Sequence, residues 1–217
     1  MIIKKRNILM ICLLFFVSPI IAQKTYDMQY GLKFGLNFAT FGGKDGNGFR
    51  SATGMNIGGM LRKHFTDVMY WEADILISEK GALENMYIPV NQYADTVNVE
   101  IVWSMNYFEI PILVGCDFLN NTDASVHPVL YGGGLISYNT SSKIRGDYED
   151  VTKKFDYNKA KPFDYGYVIG GSVEFQIHES RLVLDLRFAK SIVSFDNSSN
   201  SLDYKNKVFT FSVGYYF

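Results

Sequence analysis

The 217-residue sequence predicts an all-β fold, an eight-stranded antiparallel up-and-down transmembrane β-barrel. Three observations predict it. Apolar residues recur at every second position in segment after segment, the period of a strand with two unlike faces. Eight such segments of about ten residues follow one another, an even number, as expected for a small closed membrane barrel. The connections between them alternate long and short, the pattern by which such barrels distinguish the cell surface from the periplasm.

The chain opens on an export segment. Lys4, Lys5 and Arg6 form a basic start, Ile8 to Val17 an apolar run, and Ala22 precedes a cleavage point at Gln23. Residues 1–22 are therefore expected to be a signal peptide and residues 23–217 a single barrel domain. An uncleaved anchor helix is the other reading, and the apolar run is short for a full span. The rest of the chain has no uninterrupted apolar run of about 20 residues, so any further membrane crossing is by strands. Cleavage leaves Cys116 as the one cysteine, without a partner for a disulfide framework. It also lowers the basic count from 21 to 18 against 22 acids, with no basic patch that suggests nucleic acid.

The eight segments read in order. YGLKFGLNFAT sets Leu32, Phe34, Leu36 and Phe38 against Gly31, Lys33, Gly35 and Asn37. GMNIGGMLRKH sets Met55, Ile57 and Leu61 against Asn56, Gly58 and Arg62. YWEADILIS sets Trp71, Ala73, Ile75 and Ile77 against Glu72 and Asp74. NYFEIPILVGC sets Phe108, Ile110, Ile112, Val114 and Cys116 against Glu109, Pro111 and Gly115. VLYGGGLISY alternates less clearly, because Gly132, Gly133 and Gly134 interrupt it. FDYGYVIGGSVEFQI sets Tyr165, Tyr167, Ile169, Val173 and Phe175 against Asp164, Gly166, Gly170, Ser172 and Glu174. RLVLDLRFAKSI sets Leu182, Leu184, Leu186 and Phe188 against Asp185, Arg187 and Ala189. The chain ends on KVFTFSVGYYF, with Phe209, Phe211, Val213, Tyr215 and Phe217 on one face. Long polar connections are expected at Phe41–Ala52, Lys80–Asn98, Asn139–Pro162 and Val193–Asn206, and short ones at Phe65–Val68, Asp117–Ser125 and His178–Ser180.

Alternation alone fits a soluble up-and-down barrel as well, with the apolar faces turned inward. Two features favour lipid outside. The polar faces are rich in glycine with isolated charges, which suits a crowded interior better than a solvated surface. The apolar faces begin and end in aromatics such as Trp71, Phe108, Tyr165 and Tyr215, as girdles at lipid headgroups do.

NYFEIPILVG, then VHPVLYGGGLISY, FDYGYVIGGSVEF, LVLDLRFAKSI and a terminal aromatic strand together resemble the PorT-like outer-membrane β-barrel family. The resemblance covers essentially the whole mature chain. It implies fold and an outer-membrane location, and much less about activity.

Two sets of residues are candidates for a role. Lys33, Arg62, Glu72, Asp74, Glu109, Asp164, Glu174, Asp185 and Arg187 share the inward faces. Eight strands leave a lumen just wide enough for side chains to fill, and buried charges must pair, so a packed ionic plug is expected, with an ion or proton path as the functional reading. Phe209, Phe211, Val213, Tyr215 and Phe217 resemble a terminal signal read by the barrel-assembly machinery. Their plainer reading is the lipid-facing side of the strand that closes the barrel. The three histidines, His64, His127 and His178, fall near short turns and read as polar turn residues. They make no ligand cluster at metal spacing, and neither a cofactor nor an enzymatic activity is expected. The expected partners are outer-membrane lipid, the assembly machinery during biogenesis, and a protein or glycan at the surface loops. The function that follows is a structural or interaction protein. A narrow channel or transport component is the second reading, and a lipid-modifying enzyme the third.

Overall fold

The computed structural model describes residues 27–89, 96–120, 122, 124–148, 151–198 and 202–217. The export segment expected at residues 1–22 lies outside the described residues. The strands are β1 (Met28–Gly42), β2 (Arg50–His64), β3 (Met69–Pro89), β4 (Thr96–Asp117), β5 (Val126–Tyr148), β6 (Val151–Asp156), β7 (Phe163–Ile177), β8 (Ser180–Ser191) and β9 (Lys205–Tyr216). Each neighbour pair is antiparallel, and eight strands close a ring in the order β1-β2-β3-β4-β5-β7-β8-β9 and back to β1. β9 closes it on Gly31–Gly42 of β1, and the Phe217 amide adds a bond to the Tyr30 carbonyl at 3.0 Å. Closure removes the exposed edge that a sheet in lipid could not leave unpaired.

Burial is inverted relative to a water-soluble barrel. On β8, Asp185 is 1% exposed while its neighbour Leu186 is 49% exposed. The same holds around the ring. Lys33, Arg62 and Glu72 are buried, and Phe34, Ile57 and Ile75 stand outside. A continuous apolar outer wall of this extent has no place in water, which decides between the lipid-facing and the soluble barrel. Cys116 lies on that outer wall as a free thiol.

The two ends differ. At the short end, Thr66 Oγ1 accepts the Val68 and Met69 amides to bend the chain between β2 and β3. His178, at φ 57°, makes the tight reversal between β7 and β8. At the other end the sequence reading needs correction. The long connections expected at Lys80–Asn98 and Asn139–Pro162 are largely strand. β3 and β4 stay paired up to Pro89 and Thr96, and β5 continues to Tyr148, where β6 folds back on it. Ladder hydrogen bonds sustain the pairing, and on β4 the period of two carries on through the arm in Val99, Ile101 and Trp103, set against Asn98 and Glu100. A register shift at Asn106/Tyr107 marks where this four-stranded arm leaves the barrel wall, with Thr140 Oγ1 donating to the Asn106 carbonyl.

Inside the same end, Phe41, Ala82, Met105, Tyr107 and Phe195 form a buried apolar cluster, with Phe49, Trp103, Tyr157 and Tyr204 packed on it. Phe41 and Phe195 have ring centroids 4.7 Å apart, and Trp103 and Tyr157 5.2 Å. These rings come from the top of β1, the arm and three connections, so they roof the lumen.

Candidate functional site

The lumen is built from inward side chains, and it is layered. Nearest the short turns, Asp117 accepts from Arg181 Nη1 at 2.8 Å and sits 3.1 Å from His127 Nδ1. Arg181 also reaches Asn120 and Gln176, both at 2.8 Å, and so ties the β4–β5 connection to the end of β7.

The next layer centres on Arg62. Its Nε and Nη2 donate to Glu72 at 2.9 and 2.8 Å, and Nη1 donates to Glu174 at 2.8 Å. Its guanidinium lies 4.1 Å from the Tyr70 ring centroid and 4.6 Å from that of Tyr216, whose hydroxyl donates to Glu72 at 2.8 Å. Two aromatic faces and two carboxylates thus satisfy one planar cation, an arrangement a lysine could not reproduce. Gly115 makes it fit, because a Cβ there would collide with the Tyr70 ring.

Above it, Lys33 Nζ stands 3.4 Å from Asp185, 3.5 Å from Asp74 and 3.8 Å from Glu72. Arg187 donates to Asp74 at 2.9 Å and to the Tyr131 hydroxyl at 3.2 Å, and that hydroxyl donates to Asp185. A neutral layer follows, in which Asn37 donates to Ser78 at 2.9 Å and accepts from Asn56 and Thr210 at 2.8 Å. The top layer pairs Lys80 with Glu109, which also accepts from Ser137 at 2.9 Å. Asp164 accepts from Ser191 at 2.6 Å and from Asn206 at 2.9 Å.

Between the neutral layer and its charged neighbours lies a cavity of about 20 Å³, lined among others by Lys33, Asn56, Ser78, Lys80, Glu109 and Arg187. That is room for about one water.

Residues 21–197 match the family model described as outer membrane protein beta-barrel domain. The chain belongs to that family. No curated protein matches it. Three solved barrels are similar to it. Ail of Yersinia pestis, solved with the heparin analogue sucrose octasulfate, is 11% identical over 88% of this chain and 99% of its own, with a TM-score of 0.40. Neisserial surface protein A is 13% identical over 85% and 95%, at 0.44. OprG of Pseudomonas aeruginosa is 10% identical over 88% and 94%, at 0.41.

All nine residues that the sequence places on the inward faces of this barrel are buried in its lumen. Seven of them form one linked network, with Arg62, Glu72 and Glu174 below and Lys33, Asp74, Asp185 and Arg187 above, joined where Lys33 and Arg187 reach Glu72 at 3.8 and 3.9 Å. Glu109 and Asp164 belong to the layer near the roof. The terminal residues Phe209, Phe211, Val213, Tyr215 and Phe217 all face outward, exposed.

Sequence reasoning missed several members. Lys80 was placed at the start of a loop, yet it continues the inward series Glu72, Asp74, Leu76, Ser78, and that parity was the available signal. His64 and His127 are not exposed turn residues, since both are buried inside the barrel's end, whereas His178 is in the turn. Asp117 and Arg181 also continue inward series, Asp117 after Glu109, Pro111 and Gly115 and Arg181 before Asp185 and Arg187, so parity was the available signal for them too. Among the described residues no group of His, Cys, Asp and Glu could hold a metal ion.

Outside the membrane, one carboxylate straps the roof. Asp196 is opposed by burial, but hydrogen bonds from Ser198 and Tyr157 and the amides of Ser198 and Leu202 prevail and hold it below the usual carboxylate range. The Lys161 amide reaching the Phe195 carbonyl at 2.7 Å, and that of Asn197 reaching Lys159 at 2.9 Å, join the same two connections.

Proposed function

We propose that the protein is a sealed, non-enzymatic outer-membrane scaffold that works through the sheet and connections at its long end. One observation carries this: ion-paired layers fill the lumen, aromatic rings roof it, and the cavity between the neutral layer and its charged neighbours has room for about one water. A channel needs a continuous water file, and the layers of Arg62, Arg187 and Lys80 interrupt one at three heights. The arm of β3, β4, β5 and β6 meanwhile offers a rigid platform beyond the lipid, with Lys143, Arg145, Lys153, Lys154 and the 61%-exposed Phe155 for a protein or glycan to contact.

The same reading takes residues 1–22 as the export signal and the outward face of β9 as the segment read during assembly, since β9 is the strand whose pairing with β1 completes the ring. The narrower kinship with PorT-like barrels rests on the motifs around Glu109-Ile110-Pro111 and Asp164-Tyr165-Gly166.

Two measurements test the proposal. Purified protein in planar bilayers is expected to give no stable conductance; resolved, ion-selective steps would replace the scaffold by a channel. Cysteine crosslinking in native membranes is expected to capture a partner from Lys143→Cys or Lys154→Cys on the arm. Capture only from Glu179→Cys in the short turn would move the working face to the periplasm.

A further inference from the structure

The outer wall carries a feature that the sealed lumen does not explain. Phe38, Phe209, Phe188 and Ile169 lie side by side as direct partners on β1, β9, β8 and β7, all facing lipid. The next outward row toward the long end, two residues on, is Thr40, Lys207, Lys190 and Tyr167. Lys190 and Lys207 are thus directly opposed near the upper edge of the apolar band, one outward row below Ile192 and Tyr165. Direct partners on one face have Cβ atoms about 5 Å apart, and like charges so placed destabilise a sheet. Two other cations of this end are paired with acids, Lys205 to Asp203 at 3.2 Å and Arg50 to Glu100 at 2.6 Å. Among the described residues neither Lys190 nor Lys207 has a carboxylate partner.

Their depth identifies what is missing. Tyr138, Phe163 and Tyr165 face outward on the adjoining strands, in ring contact at 5.3 and 6.4 Å, and form an aromatic girdle at headgroup level. The two ammonium groups therefore sit among the headgroups of the leaflet on the long-loop side, the outer one. A second feature lies on the same wall. One outward row below Phe188 and Phe209, the row Phe211, Leu186, Gly171, Leu130 runs through a shallow apolar groove of about 700 Å³. It continues past Leu184 and Val173 toward the short end.

We propose that this wall binds one phosphorylated glycolipid of the outer leaflet, Lys190 and Lys207 clamping a phosphate on its sugar headgroup and the groove holding one acyl chain. A phosphate between the lysines converts a repulsive pair into two charge-assisted hydrogen bonds. The apolar row beneath supplies what a free anion would not use. The site rests on the outer wall alone and stands whether or not the lumen conducts.

Native mass spectrometry of the full-length protein released from detergent, titrated with lipid A, tests it. Wild-type protein is expected to retain one lipid A. The double variant Lys190→Gln/Lys207→Gln should bind about tenfold or more weakly, as loss of a hydrogen bond to a charged group implies, while Lys190→Arg/Lys207→Arg keeps the adduct. Both pairs are on the surface, and a heat-modifiable gel shift reports that each variant has folded. Dephosphorylated lipid A and the deacylated phosphosugar should each bind more weakly than lipid A, and inorganic phosphate should not displace it. Equal retention of lipid A by the glutamine variant, or equal binding of the dephosphorylated lipid, overturns the clamp. Displacement by inorganic phosphate would show a free-anion site and overturn the lipid assignment.

Discussion

Truncating Arg187 to alanine is the sharpest test of the ion-paired lumen. Its guanidinium donates to Asp74 at 2.9 Å and to Tyr131 at 3.2 Å, and stands 3.7 Å from Asp185 and 3.9 Å from Glu72. Arg187→Ala leaves Lys33 as the nearest cation to Asp74 and Asp185. One ammonium with three hydrogens, already shared with Glu72, cannot replace a planar fork. Removing one partner of a buried pair costs about 3–5 kcal/mol because the other charge is stranded. The neighbouring cavity offers room for water to solvate Asp74 in part, which places the expected loss near the lower bound, about 3 kcal/mol. Replacing both charges, Arg187→Met with Asp74→Leu, strands less and should lie within about 1 kcal/mol of wild type. Urea unfolding of the refolded protein in lipid vesicles, followed by tryptophan fluorescence, measures both. A loss under about 1 kcal/mol for Arg187→Ala, or a double variant worse than the single one, would refute the stranded-charge reasoning.

Two further outcomes follow from the facing of the wall and from the roof. Ile169→Arg, on the lipid side, should destabilise by about 2–4 kcal/mol, whereas arginine at the exposed arm position Lys154 should be close to neutral; equal tolerance would mean the faces are misassigned. Asp196 is depressed in the folded state, so its contribution is present above the unfolded value of about 3.9 and is lost as pH falls through the folded one. Trp103 fluorescence in a Trp71→Phe background should therefore report loosening of the roof below about pH 4, and Asp196→Asn should show that signal already at neutral pH. An Asp196→Asn titration identical to that of its parent would refute Asp196 as the source of the acid sensitivity.

What the sequence by itself determined was which residues of most ring strands share a face. Side-chain direction in a strand has a period of two, so once Leu184, Leu186 and Phe188 point one way, Asp185 and Arg187 must point the other. Eight alternating segments with long and short connections then leave little choice but a closed ring with both ends at the short turns. Partner choice inside the ring was not legible. Lys33 meets Asp185 from 152 residues away because β1 and β8 both flank β9, and the register of three strands decides the encounter. Strand length was hidden for a related reason. Above the membrane β3, β4 and β5 continue through sequence rich in Glu, Asn, Ser and Lys. It reads as loop until ladder bonds and β-branched residues such as Val99 and Ile101 are seen to pair across the arm, and β6 exists because β5 is there to pair with it. The roof of Phe41, Phe195 and Tyr204 likewise needed tertiary structure, since its rings come from connections whose composition reads as polar. The opposed Lys190 and Lys207 show both levels at once. Parity alone turns each outward, and only the pairing of β8 with β9 sets them face to face.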